Sequence, residues 1–148
     1  MSDKLEILNT RLFAASRQAV FDAFAEPDQL KHWWGPHGFT NTVPEFDFRP
    51  GGKWRIVMTA SNGTDFDNHA TFEEIVEPER ISYVHHLPMH VFTMTMTFDE
   101  EADGTRLTWR MLFEPTEENL QLEKFLAAAN EQNFDRLEDH LQNQTGKA

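Results

Sequence analysis

Between Thr40 and Phe113 apolar residues recur at every second position through six successive segments, and the pattern then changes to helical spacing up to about Gln142. Few folds accept that order. The strand candidates are Thr40–Arg49, Lys53–Thr59, Asp67–Val76, Arg80–Leu87, Val91–Glu100 and Thr105–Phe113. Turn signals separate most of them: Pro50-Gly51-Gly52, Ser61-Asn62-Gly63, Glu77-Pro78-Glu79 and Ala102-Asp103-Gly104. The link Leu87-Pro88-Met89-His90 carries a weaker signal. Links this short join antiparallel neighbours, because parallel crossovers need about a dozen residues or more. Thr93-Met94-Thr95-Met96-Thr97-Phe98 alternates cleanly, so the sheet has one covered face and one wet face.

The cover is the last segment. Thr116 stands as an N-cap before Glu117 and Glu118, whose charges suit the positive end of a helix. A helix from Glu117 to Gln142 has about 26 residues and runs roughly 39 Å. Leu122, Leu126, Ala129, Asn133, Leu137 and Leu141 fall on one face, flanked by Phe125 and Phe134, which predicts a continuous buried stripe. Ahead of the six segments, Lys4–Phe13 alternates as a further strand. Ser16 caps a short helix through Phe24, and Pro27–His32 forms a second, with Trp33-Trp34 at its close and Gly35-Pro36 ending it. The expectation is an α+β fold: a curved seven-stranded antiparallel sheet around a long C-terminal helix, with two short helices between the first and second strands.

Residues 1–148 suit one domain, since a chain of 148 residues buries about 70% of its unfolded surface around one core. The formal charge of −12 argues against a phosphate-backbone partner, which needs clustered Lys and Arg, so no nucleic acid is expected. No run of about 18 apolar residues exists, so no membrane insertion is expected. Met1-Ser2-Asp3-Lys4 opens no apolar leader. The chain has no cysteine, which removes disulfides, thiolate metal sites and a cysteine nucleophile together, and fits a reducing cytoplasm.

Four motifs in order carry a resemblance. They are Pro27-Asp28-Gln29-Leu30-x-x-Trp33-Trp34-Gly35-Pro36, Asp47-Phe48-Arg49-Pro50-Gly51-Gly52-x-Trp54, Glu74-Ile75-x-x-Pro78-Glu79-Arg80-Ile81 and Asn133-Phe134-x-x-Leu137. Together the chain resembles the domain named after the activator of heat shock protein 90 ATPase. That family sits in the START-like (SRPBCC) superfamily with polyketide cyclases, lipid-transfer domains and the birch-pollen-allergen type. The resemblance implies a helix-grip fold with an internal cavity, and it brings in a heat shock protein 90 chaperone as an alternative partner. Two departures stand out. Asn133-Phe134 replaces the Gly-Trp of many relatives, and His85-His86 ends a strand where apolar or aromatic residues are common.

The inward strand faces supply the lining of such a cavity. Trp54, Ile56 and Met58 share one face, Tyr83 and His85 lie on another, and Met94 and Met96 with Trp109 and Met111 join them. Methionine makes an adaptable lining. Trp33 and Trp34 point in different directions, so one is expected in the core and one at the cavity mouth. Phe125, Ala129 and Asn133 face the space from the last helix, where Asn130 and Asn133 can orient a polar ligand group.

Chemistry is harder to find. Tyr83 and His85, two apart on one strand face, form the best local pair for proton transfer, yet no nucleophile–base constellation of the usual kind appears. Arg49-Pro50-Gly51-Gly52 lacks phosphate-loop spacing and precedes a strand, so it is expected to be a hairpin turn. His85 and His86 point to opposite faces, and His32, His37, His69, His90 and His140 are scattered, so neither a metal nor another cofactor is expected. The leading expectation is binding of a small apolar or amphipathic molecule. A cyclase or hydratase acting through Tyr83 and His85 is the enzymatic alternative. Nothing in the pattern demands a homodimer, though compact proteins commonly form one.

Overall fold

Leu5 pairs with Phe113 and Phe13 with Thr105, so the first strand of the chain lies beside the last. The computed structural model describes residues 4–87 and 91–145. Its strands are β1 (Leu5–Phe13), β2 (Thr40–Phe46), β3 (Lys53–Thr59), β4 (Asp65–Val76), β5 (Arg80–Leu87), β6 (Phe92–Glu101) and β7 (Gly104–Phe113). Its helices are α1 (Arg17–Ala25), α2 (Pro27–Trp33) and α3 (Glu117–Thr145). All seven strands form one antiparallel sheet in the order β1-β7-β6-β5-β4-β3-β2. The α+β helix-grip expectation holds. The link through Pro88, Met89 and His90 and the reading of Met1–Asp3 lie outside the described residues.

Local chemistry accounts for most boundaries. The Ser16 hydroxyl accepts from the Ala19 amide at 3.1 Å, and the Thr116 hydroxyl accepts from the Asn119 amide at 3.1 Å, so both caps work as their positions predict. Pro27 opens α2, where its missing N–H is no loss. Pro44 sits in β2, an edge strand, beside an irregular register between Thr42 and Glu45.

β2 stops at Phe46, three residues short of expectation. Asp47 to Gly52 folds instead into a compact turn: the Gly51 amide donates to the Phe72 carbonyl at 2.8 Å, and the Phe72 amide donates to Gly52 at 2.9 Å. A Cβ on Gly52 would stand 1.9 Å from the Asp47 carbonyl oxygen, so the turn excludes every other residue there. β4 starts two residues early because the hairpin from Ala60 to Thr64 is tight, with the Ala60 amide donating to the Thr64 carbonyl at 2.8 Å.

The core lies on the concave face. β6 buries Phe92, Met94, Met96 and Phe98 while the threonines between them stay half-buried, and β7 buries Leu107, Trp109, Met111 and Phe113 likewise. α3 departs from the predicted stripe. Phe134, Leu137 and Leu141 are buried, but Leu122 and Leu126 are only partly covered and Phe125 is 68% exposed. The C-terminal half of the helix packs down onto the core, while the N-terminal half meets it only through partly covered residues such as Leu126 and Ala127. No described helix is long and apolar enough to cross a membrane.

Candidate functional site

The two ends of the concave face are filled differently. At one end α1 and α2 supply rings. Phe21 meets Phe98 edge-on at 5.4 Å between centroids, and Phe24 meets Trp54 at 5.2 Å. Phe134 of α3 packs on Trp109 at 4.8 Å and on Phe13 at 5.7 Å. Edge-to-face contacts of this kind stabilise beyond the area they bury. Trp33 belongs to this packed end, 2% exposed, with its indole N–H donating to the Ala23 carbonyl at 2.9 Å.

At the other end, under the N-terminal half of α3, a cavity of about 530 Å³ remains. Trp54, Ile56 and Met58 of β3 line it with Phe66, Asn68 and Ala70 of β4. Tyr83, His85, Phe92, Met94, Trp109 and Met111 continue the wall across β5, β6 and β7. Trp34 to His37 and Phe39 form one rim, and Phe125, Leu126, Ala128, Ala129, Asn130, Gln132 and Asn133 come from α3. The mostly exposed Phe125 marks the mouth.

Among the expected lining residues, two do not reach the cavity. Trp33 is held in the α1–α2 packing just described. Met96, fully buried, lies between Ile81 and Trp109 in the sheet and does not line the cavity. The remaining twelve of the fourteen expected residues line one space; Trp34 is among them, yet it is buried and packs on Trp54 and Trp109, so both tryptophans belong to the core. Sequence reasoning passed over Phe66, Asn68 and Ala70, although Phe66, Asn68, Ala70 and Phe72 recur at every second position on β4. His37 and Phe39 lie in a loop, where no period exists to reveal them.

Among the described residues no Asp, Glu, Lys or Arg lines the cavity. Its polar groups are few and held in place. Asn68 donates through Nδ2 to the Phe66 carbonyl at 3.0 Å, so its Oδ1 accepts from His85 Nε2 at 2.8 Å and that nitrogen carries the hydrogen. The His85 ring stacks on Phe92 at 4.6 Å. Burial alone pushes the Tyr83 phenol well above its ordinary range, so it stays protonated and is able to donate a hydrogen bond but not to act as a base.

His86 lies on the other face, exposed, bonded to Thr71 at 2.9 Å. Elsewhere His37 sits 3.3 Å from Asp135, His69 sits 3.1 Å from Asp67, and His140 bonds Gln29 at 3.0 Å. Among the described residues no three His, Asp or Glu side chains gather as a metal site; His90 lies outside them.

α3 is tied down by polar contacts to the rim. Asn133 donates to the Trp33 carbonyl at 2.9 Å, and Arg136 donates to the carbonyls of Trp34, Gly35 and Pro36 at 2.7, 3.1 and 3.0 Å. Gly35 has φ of +94°, and a Cβ there would stand 2.8 Å from the Met58 methyl, so the rim approaches β3 as closely as glycine allows.

Residues 14–142 match the family model for Activator of Hsp90 ATPase homolog 1-like protein. Among solved structures, protein Ms6760 from Mycobacterium smegmatis is 27% identical, with a TM-score of 0.84 over 96% of this chain and 94% of that one. A protein from Arthrobacter aurescens is 23% identical with a TM-score of 0.85 over 94% and 87%. Protein NE0264 from Nitrosomonas europaea is 23% identical with a TM-score of 0.82 over 95% and 96%. These last two likenesses show the fold alone. A search of curated proteins finds no match.

Proposed function

The chain belongs to the family of Activator of Hsp90 ATPase homolog 1-like proteins, and on that premise we propose that it binds a small apolar or amphipathic molecule between its sheet and α3. The fold is in general a ligand-binding one. One observation carries the reading for this chain: a cavity of about 530 Å³ lined mainly by aromatic, aliphatic and thioether groups with some amide and imidazole groups, and among the described residues by no Asp, Glu, Lys or Arg. Pockets for small molecules have this size and character, with a few placed polar groups setting orientation. A catalytic reading draws less support, since the protonated Tyr83 is a poor base and His85 already engages Asn68.

The test is a titration with an uncharged naphthylamine dye followed by dye fluorescence and tryptophan quenching. Micromolar binding is expected, equivalent to about −8 kcal/mol. Ala129→Phe, on the α3 wall, should abolish that binding and leave the melting temperature close to the parent's. In a filled core the same change would cost about 1–3 kcal/mol by overpacking. A parent protein that binds no dye, together with a destabilised Ala129→Phe, would defeat the cavity reading.

A further inference from the structure

Asn130 and Asn133 are 9% and 5% exposed, lie three residues apart on α3, and line the cavity. Both amide nitrogens are committed to the protein. Asn133 Nδ2 donates to the Trp33 carbonyl at 2.9 Å. Asn130 Nδ2 donates to Asn9 Oδ1 at 3.0 Å and meets Met111 Sδ at 3.1 Å. Neither amide can be turned over. The Trp33 carbonyl only accepts, and Asn9 directs its own nitrogen to the Ala127 carbonyl at 3.1 Å and to Glu131 Oε2 at 2.7 Å, leaving its oxygen to accept from Asn130.

What each asparagine has left is its carbonyl oxygen. Neither Oδ1 meets a donor among the described residues. Two acceptors therefore remain on largely buried side chains of the cavity wall. Neither oxygen is sealed off from the cavity space, so a ligand that fills that space must bring a donor or leave the acceptor unpaired. The opposite wall offers the protonated Tyr83 hydroxyl, so a group that both donates and accepts is served from both sides. Among the described residues no Asp, Glu, Lys or Arg lines the cavity, so a carboxylate or an ammonium would be desolvated without a counter-ion of that kind.

We propose that the cavity selects uncharged ligands that carry a hydroxyl or amide N–H, donated to the side-chain oxygen of Asn130 or Asn133. This rests on the ligand-binding reading above and narrows it to a chemical class. The specificity follows from what an analogue lacking the donor leaves behind, namely a desolvated acceptor with nothing to bond.

The experiment compares probes of one shape by calorimetry at neutral pH: 2-naphthol, 2-methylnaphthalene, 2-naphthoate and 2-naphthylmethylamine. 2-Naphthol should bind at least about tenfold more tightly than 2-methylnaphthalene although it is the more polar, and the two charged probes should bind more weakly still. Of Asn130→Leu and Asn133→Leu, both close to isosteric, at least one should erase most of that preference while keeping 2-methylnaphthalene binding, which also reports that the variant is folded. If neither variant folds, the probe series on the parent chain decides. 2-Methylnaphthalene binding as tightly as 2-naphthol, or a charged probe binding best, would overturn the proposal and leave the ligand-binding reading standing. Failure of every probe to bind would take down both.

Discussion

Arg136 on α3 donates to the Trp34 carbonyl at 2.7 Å, fastening the long helix to the segment that forms one rim of the cavity. The same guanidinium reaches Gly35, Pro36 and His32 carbonyls, and its burial lowers its pKa from the ordinary value. Four carbonyls around one rigid fork cannot be matched by the single point of a lysine ammonium. Arg136→Lys should therefore recover only part of what Arg136→Met loses. The loss itself should be about 1.5–3 kcal/mol in urea melts, the scale of hydrogen bonds to a charged group. Equal stability in all three proteins would show that the rim holds its shape without the clamp.

The two halves of α3 should respond differently to truncation. Leu137 is 1% exposed within the packed end, so Leu137→Ala should cost about 2–5 kcal/mol. Leu126 is partly covered and borders the cavity, where a shortened side chain only enlarges existing space. Leu126→Ala should cost less than about 1.5 kcal/mol. Denaturant melts of the pair check this, and similar large costs at both positions would mean that the helix is packed along its whole length.

Stability should also fall in acid through exposed ion pairs. A hydrogen bond from Arg55 holds the Asp67 carboxyl below its ordinary range, and Arg80 does the same for Glu74 and Arg106 for Glu101. A carboxylate whose pKa is depressed on folding contributes fully above its unfolded pKa near about 4, and loses that contribution as pH falls through the lower folded value. Melting temperature should be flat above about pH 5 and decline below it. Asp67→Asn should make that decline shallower by a small amount, because the pair is open to solvent. An identical slope in the variant would show that the Arg55 pairing adds nothing to acid stability.

Much of the architecture was legible in order and period alone. The alternation in Thr93–Phe98 predicted which side chains of β6 turn inward, and Ser16 and Thr116 announced their helices. Side-chain parity on a strand is set by the backbone of that strand, so the inward set of Trp54, Ile56, Met58, Tyr83, Met94, Trp109 and Met111 could be read without knowing any partner. Asn68 and Ala70 obeyed the same rule and were available to it.

Depth along the sheet is another matter. Met94 and Met96 have the same parity, the same chemistry and the same burial, yet Met94 lines the cavity and Met96 does not. Trp33 and Trp34 are adjacent and both buried, yet Trp33 bonds the Ala23 carbonyl away from the cavity while Trp34 lines it. Periodicity along α3 likewise could not show that Phe134, Leu137 and Leu141 pack down while Leu122 and Phe125 stand off. The sequence by itself determined the elements, their order and the inward faces, because those follow from local spacing and from links too short for any other pairing. The tertiary structure alone decided where the concave face is filled and where it is hollow, because that depends on how far each helix reaches across the sheet, a distance no period along the chain encodes.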